Sequence, residues 1–227
     1  MLKLYYARPS LFARPVWLAL LEKQLPFELI PVNLNGEQFE PDFLRLNPFA
    51  HIPVLVDDDF RVIESLAILD YLEAKYPQPA LLPTEPAALA RVRMVQLVAL
   101  NELLPEIAKL IMHPQTDTEH EYAQVRALNT LNFLADTLGD RAYFANDQVT
   151  LAEIVAGTLI PALPDLGMSL TPYPGLAAWS ERLLSRPTWQ AIELSHTEWN
   201  QFQRQLRVLP RLWQRRRQQR LNALTLG

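Results

Sequence analysis

The chain has 227 residues, a formal net charge of −4, 49% hydrophobic and 20% charged residues, and no cysteine. That composition supports a buried core divided over one large or two small domains, and it excludes disulfides, thiol nucleophiles and zinc–thiolate clusters. Seven arginines and no acid follow Trp199, so the body before them is acidic and gives no reason to expect nucleic-acid binding.

Arg8, Pro9, Arg14 and Pro15 interrupt the apolar run that a signal peptide needs. No uncharged apolar stretch reaches the roughly 18 residues that cross a bilayer. The expectation is a cytoplasmic protein, in keeping with the absence of cysteine.

Taken in chain order, Leu2 to Ala7 reads as a short strand, and Val16 to Gln24 spaces its apolar residues for a helix face. Phe27 to Leu34 is a second strand broken by Pro31. Pro41 to Pro48 is a short helix or turn that Pro48 ends. The stretch PVLVDDD is a strand running into an acidic, solvated turn, followed by a strand at RVIE and a helix at SLAILDYLEAKY. This β-α-β-α-β-β-α order predicts a small mixed sheet with helices packed against it. It has too few strands for a dinucleotide fold, and no G-x-G-x-x-G is present.

Four prolines in ten residues, from Pro77 to Pro86, mark a linker. Beyond it the period is helical: Ala87 to Met112, kinked or split at Pro105, then Glu119 to Leu138 with Gly139 as a stop. Thr150 and Glu153 stand at capping-box spacing, and a helix opening at Pro174 ends before Pro187. The expected boundaries are a sheet domain over 1–76, a linker over 77–86 and an all-helical domain over 87–227, with a basic tail from about residue 199. His113, His120 and His196 have no ligand spacing and read as surface residues; no metal site is expected. The tail reads as a solvated helix whose arginine stems lie on the acidic body. Anionic membrane or nucleic-acid contact, or cover for a pocket, are its alternatives.

Pro53 raises a separate question, because proline cannot donate to a sheet ladder and is confined to edges, strand starts, bulges or turns. From the residues alone it also reads as a trans proline opening a strand, Ser65 as a plain helix cap, and His51 as an exposed side chain.

Four segments in order, NPFAHIPVLVDDDFRVIESLAILDYL, the proline-rich linker, TLAEIVAG and YPGLAAWSERLLSRPTW, together resemble the cytosolic glutathione transferase superfamily over residues 1 to 200. The resemblance implies an α/β thioredoxin-like N-terminal domain followed by an all-α C-terminal domain, glutathione as co-substrate and a homodimer. It further implies that Pro53 is cis and that the Ile52 backbone pairs with the cysteinyl backbone of glutathione. Ser65, at a helix start, would hold the γ-glutamyl carboxylate with its N–H and hydroxyl, and Glu64 would take the γ-glutamyl ammonium. His51 would reach the glycine carboxylate. Ser10, four residues before Arg14, matches the serine that donates to the thiolate in the serine-using classes. Pro15 argues that the first helix starts near Arg14, which would shift Ser10 from the helix end. Arg8 is a second source of positive charge there, and Tyr5 or Tyr6 an alternative donor. Leu11, Phe12, Leu104, Ile107, Leu110 and Ile111 are candidates for lining an electrophile pocket. The implied activity is conjugation of the glutathione thiolate to small hydrophobic electrophiles. The alternative is a non-catalytic binding or regulatory protein on the same fold.

Overall fold

Along β1 (Leu2–Tyr6) Leu2 and Leu4 are buried on one face of a sheet, while Tyr5 turns to the other, where Phe43 lies with ring centroids 6.4 Å apart. This period-two alternation sorts the sheet into two apolar layers. In the computed structural model of the protein, residues 1–113, 117–145 and 147–208 are described. After β1 come α1 (Ala13–Glu22), β2 (Phe27–Pro31), α2 (Pro41–Leu46), β3 (Val54–Asp57), β4 (Phe60–Ile63) and α3 (Ser65–Lys75). The strands lie in the order β2-β1-β3-β4, with β1 parallel to β2 and antiparallel to β3, and β4 antiparallel to β3. Leu2, Leu4 and Leu55 share a core with Val16 and Leu20 of α1 and Ile68, Leu69 and Leu72 of α3. Val32, Phe43 and Val54 form a smaller core under α2 on the opposite face. The thioredoxin-like order of elements follows as expected.

The helical half contains α4 (Pro86–Val98), α5 (Leu104–Met112), α6 (Thr118–Leu138), α7 (Leu151–Ala156), α8 (Pro174–Leu184) and α9 (Pro187–Ile192). Residues 196–208 are also helical, and we call them α10. Pro105 cannot donate to the carbonyl four residues back and its ring crowds that carbonyl. The chain meets this with a π-helical stretch at Ala99–Leu103, just before the proline, so helical backbone runs without a break from α4 into α5. Every residue of α7 is buried. Its capping box is complete: Thr150 Oγ1 accepts from the Ala152 N–H at 3.2 Å, and Glu153 accepts from the Thr150 N–H at 2.9 Å. Among the described residues no helix is long and apolar enough to cross a membrane.

Three expectations are corrected here. Asp57 is not part of a solvated turn; it is buried and accepts from the Tyr71 hydroxyl at 2.8 Å, the Tyr76 hydroxyl at 3.3 Å and Lys75. Only Asp58 and Asp59 face water. His120 is buried, with Nδ1 3.1 Å from the His113 carbonyl, which requires the proton on Nδ1. The first part of the tail is not a solvated helix throughout: Trp199 and Phe202 on α10 are buried and their rings lie 5.7 Å apart, while Arg204 points to water. The tail beyond residue 208, with five of the seven arginines, lies outside the described residues.

One buried cation fixes the linker. The Lys23 ammonium, fully enclosed, donates to the Tyr76 carbonyl at 2.7 Å and the Pro79 carbonyl at 2.9 Å, and pairs with Glu73 at 2.6 Å. Glu73 also accepts from the Leu81 and Leu82 N–H groups at 3.0 and 3.2 Å. Removing one partner of a buried pair strands the other charge, at a cost of about 3–5 kcal/mol. Glu73→Ala is therefore expected to lower the urea midpoint by that scale of stability with an unchanged slope. Glu73→Gln, which keeps an acceptor for the linker N–H groups, should lose less.

Candidate functional site

Strand register decides which loops meet. Tyr5 is opposite Val54, and Val54 is opposite Ile63. The residues just beyond these pairs, Ala7 to Ser10 after β1, Ile52–Pro53 before β3 and Glu64–Ser65 after β4, therefore emerge at one end of the sheet. Both α1 and α3 begin at that same end, each with the positive end of its dipole there, and α3 has no side-chain cap on its first turn. Ser10, Ile52, Pro53, Glu64 and Ser65 thus share one end of the sheet, with His51 next to Ile52.

The loop before β3 is shaped by Asn47, a buried residue that sequence reasoning passed over. Its Nδ2 donates to the His51 carbonyl at 2.8 Å and its Oδ1 accepts from the Phe49 N–H at 3.0 Å. Ala50 takes a left-handed conformation at φ 59°, and the Ile52–Pro53 peptide is cis. Pro53 is buried, Ile52 is half-buried and the His51 side chain is exposed. Pro53 precedes the first ladder residue, Val54, where its missing N–H leaves no gap in the sheet.

Glu64 has φ 68° and ψ 119°, outside the helical region, and α3 starts at the next residue. This turn exposes the Glu64 carboxylate while burying Ser65 at the first helical position. Glu64 does not cap the helix, so its carboxylate is left for another partner.

Ser10 is buried, and its placement differs from the expectation drawn from Pro15. Its carbonyl accepts from the Arg14 N–H at 3.0 Å and its hydroxyl from the Ala13 N–H at 3.2 Å. The α-helix is regular from Ala13, with Pro15 in the first turn, because Pro15 has no N–H to give to the Leu11 carbonyl. Ser10 therefore stays bonded to the helix start. A hydroxyl that accepts a bond becomes the better donor through its own proton. Tyr5 and Tyr6 both lie in β1, Tyr6 packing edge-on against Trp17 at 5.3 Å. Of the candidate pocket residues, Leu11, Leu104, Ile107, Leu110 and Ile111 are buried in the main core, and Phe12 remains exposed.

Two guanidinium groups flank the Ser10 loop. Arg14 is pulled down to about 10 by burial and by neighbouring Arg8, against the pull of Glu193, and so stays charged at neutral pH; its Nε is buried without a hydrogen-bond partner. Arg8 is held by the chain just before and within α10, far off in sequence. No group of His, Asp or Glu that could hold a metal occurs among the described residues.

A sheet end of this kind, with exposed extended backbone, two helix starts and a serine hydroxyl, defines a thioredoxin-like protein with an appended helical domain. Residues 4–80 match the model of the glutathione S-transferase N-terminal domain, and residues 100–187 that of the C-terminal domain. The chain is 31% identical to maleylacetoacetate isomerase of Rattus norvegicus over 188 residues, covering 80% of this chain and 85% of that protein. It is 32% identical to glutathione S-transferase Z1 of Arabidopsis thaliana over 200 residues, covering 83% and 90%. Its fold matches a delta-class glutathione transferase of Nilaparvata lugens with a TM-score of 0.79 at 24% identity, covering 92% of this chain and 100% of that one. The chain belongs to the cytosolic glutathione transferase superfamily, whose members use glutathione as co-substrate.

Asn47→Asp keeps the acceptor for Phe49 but sets a carboxylate oxygen against the His51 carbonyl. Leaving that carbonyl unpaired is expected to cost about 1–3 kcal/mol, read as a lower denaturation midpoint. Asn47→Ala should destabilise to a similar degree.

Proposed function

We propose that the chain is a glutathione transferase in which Ser10 donates its hydroxyl proton as a hydrogen bond to the glutathione thiolate. The observation that carries this reading is the register that brings Ser10, Ile52–Pro53 and Glu64–Ser65 to one sheet end. Residues 1–76 form the glutathione-binding unit, residues 77–86 the linker, and residues 87–227 the helical domain. The ligand lies extended along Ile52, whose backbone pairs with the cysteinyl unit as an added strand. The Ser65 N–H and hydroxyl hold the γ-glutamyl carboxylate at the start of α3, and Glu64 accepts from the ammonium. His51 donates to the glycine carboxylate.

A free thiol has a pKa near 8.5, roughly, so most of it is protonated at neutral pH. The Ser10 hydroxyl and the start of α1 both favour the anion. The thiolate then attacks an electrophilic carbon: a C–S bond forms, and either a leaving group departs or the neighbouring carbon takes a proton. The name of the rat relative adds a second outcome for the same first step. A thiolate that adds to a cis carbon–carbon double bond leaves a single bond free to rotate, and its expulsion returns the trans alkene with glutathione regenerated. Product analysis separates the two, since only conjugation consumes glutathione.

Ser10→Ala is expected to lower kcat/KM by roughly 10²-fold, the scale for one lost donor at a developing anion, with glutathione affinity changed only slightly. Full activity in that variant overturns Ser10 as the donor. Ser65→Ala should weaken glutathione binding by about tenfold, the scale of a hydrogen bond to a charged group, measured by calorimetry. No heat from the native protein on glutathione titration would favour the non-catalytic binding reading.

The homodimer is part of the same proposal. Met94 and Leu97 on α4 expose nearly half their surface, and Arg93 joins α4 to Asp70 of α3 at 2.6 Å. Phe60 of β4 lies exposed against Tyr71 of α3, their rings 5.4 Å apart. These residues supply an apolar face interrupted by an ion pair. Leu97→Glu is expected to shift the sedimentation coefficient from dimer to monomer; an unchanged dimer would remove this face from the interface.

A further inference from the structure

The segment leading into α10 is bonded across the loop that carries Ser10. Arg8 Nη2 donates to the Glu193 carbonyl at 2.8 Å, its Nε pairs with Glu198 Oε1 at 3.0 Å, and its guanidinium lies over the Trp17 ring at 5.4 Å. The other oxygen of Glu198 accepts from the N–H and the hydroxyl of Ser195, both at 2.8 Å, and the Glu198 N–H returns a bond to the Ser195 hydroxyl at 3.2 Å. This is a capping box for α10. One carboxylate therefore both starts α10 and neutralises a cation of the Ser10 loop. Hydrogen bonds from the Ser195 backbone and hydroxyl, with Arg8, hold the Glu198 carboxyl below its ordinary range, which keeps it charged. Arg14 of α1 feels both the Arg8 charge and that of Glu193.

We propose that Arg8 and Glu198 are positioning residues that set, with opposite signs, the ionisation of the thiol at Ser10. The proposal rests on the reading above that glutathione's sulfur lies there. Arg8 adds positive potential to the loop and favours the thiolate; Glu198 damps that potential and holds the guanidinium in place. Both side chains are about 40% exposed, so water moderates the coupling.

The test is the ultraviolet absorbance of the bound thiolate, titrated against pH in the full chain with saturating glutathione. Arg8→Ala should raise the midpoint by about half a unit, a roughly threefold loss of thiolate at fixed pH. Glu198→Gln, which retains an acceptor for Ser195, should lower it by a similar amount. Arg8→Lys should lie close to the native midpoint, and both shifts should shrink in about 1 M salt, where charges are screened over some 3 Å. Shifts of the same sign, or no shift while the native protein displays a thiolate band lost in Ser10→Ala, would overturn the roles of Arg8 and Glu198 and leave the Ser10 reading standing. A native protein with no thiolate band on glutathione addition would overturn both.

Discussion

The pairing of β3 between β1 and β4 is the constraint on which the site depends. With side chains alternating across a pleated sheet, a slip of one residue would turn Leu55 away from the core under α1 and α3 and bring Val54 and Val56 into it. Two separate apolar layers, one on each face, therefore lock the same register. Once Tyr5, Val54 and Ile63 are aligned, the loops bearing Ser10, Ile52 and Glu64 have no freedom to part. The chemistry is placed by packing that contains none of the chemical groups.

The second constraint is the attachment of the two halves, and α1 carries most of it. Its first turn is bonded to Ser10, and its apolar residues belong to the same continuous core as α4 and α7. Glu22 at its C-terminal end reaches Arg186, between α8 and α9, at 2.7 Å and Thr188 in the first turn of α9. Lys23, one residue later, grips the linker. The helix that presents the serine is thus also the helix against which the second domain is built. A disturbance of the domain contact acts on the Ser10 end through a rigid element rather than through a loop.

Much of this was legible because it is local. The β-α-β-α-β-β-α order follows from period and turn residues, and the Thr150–Glu153 box is a four-residue pattern that the structure realises in full. Ser65 at the start of α3 is likewise a short-range signal. The misses are long-range. Asp57 sits in an acidic run that looks solvated, and only the fold brings Tyr71, Lys75 and Tyr76 onto it. His120 reads as a surface residue, and only the fold buries it with Nδ1 at the His113 carbonyl. Arg8 and Glu198 are 190 positions apart, and no spacing rule connects them. A signal for α10 did exist, since Ser195 and Glu198 form the same four-residue cap as Thr150 and Glu153; the arginines that follow it give the stretch the pattern of a solvated tail.

Proline shapes the local architecture by the same physical property at three places. At Pro15 the missing N–H leaves the Leu11 carbonyl without its helical partner, so the regular helix opens two residues earlier than Pro15 and Ser10 keeps its bonds to Ala13 and Arg14. At Pro53 the missing N–H falls one residue before the ladder, so the sheet loses nothing and the chain enters β3 from the site edge. At Pro105 it falls where α4 would otherwise continue, and a π turn absorbs the defect while Leu103, Leu104 and Ile107 stay buried. A residue that disrupts regular structure is tolerated where the lost hydrogen bond belongs to a boundary or can be moved to one. Two of these three boundaries lie at the sheet end that holds Ser10 and Ile52, so there the chain leaves regular structure without losing a ladder or core contact.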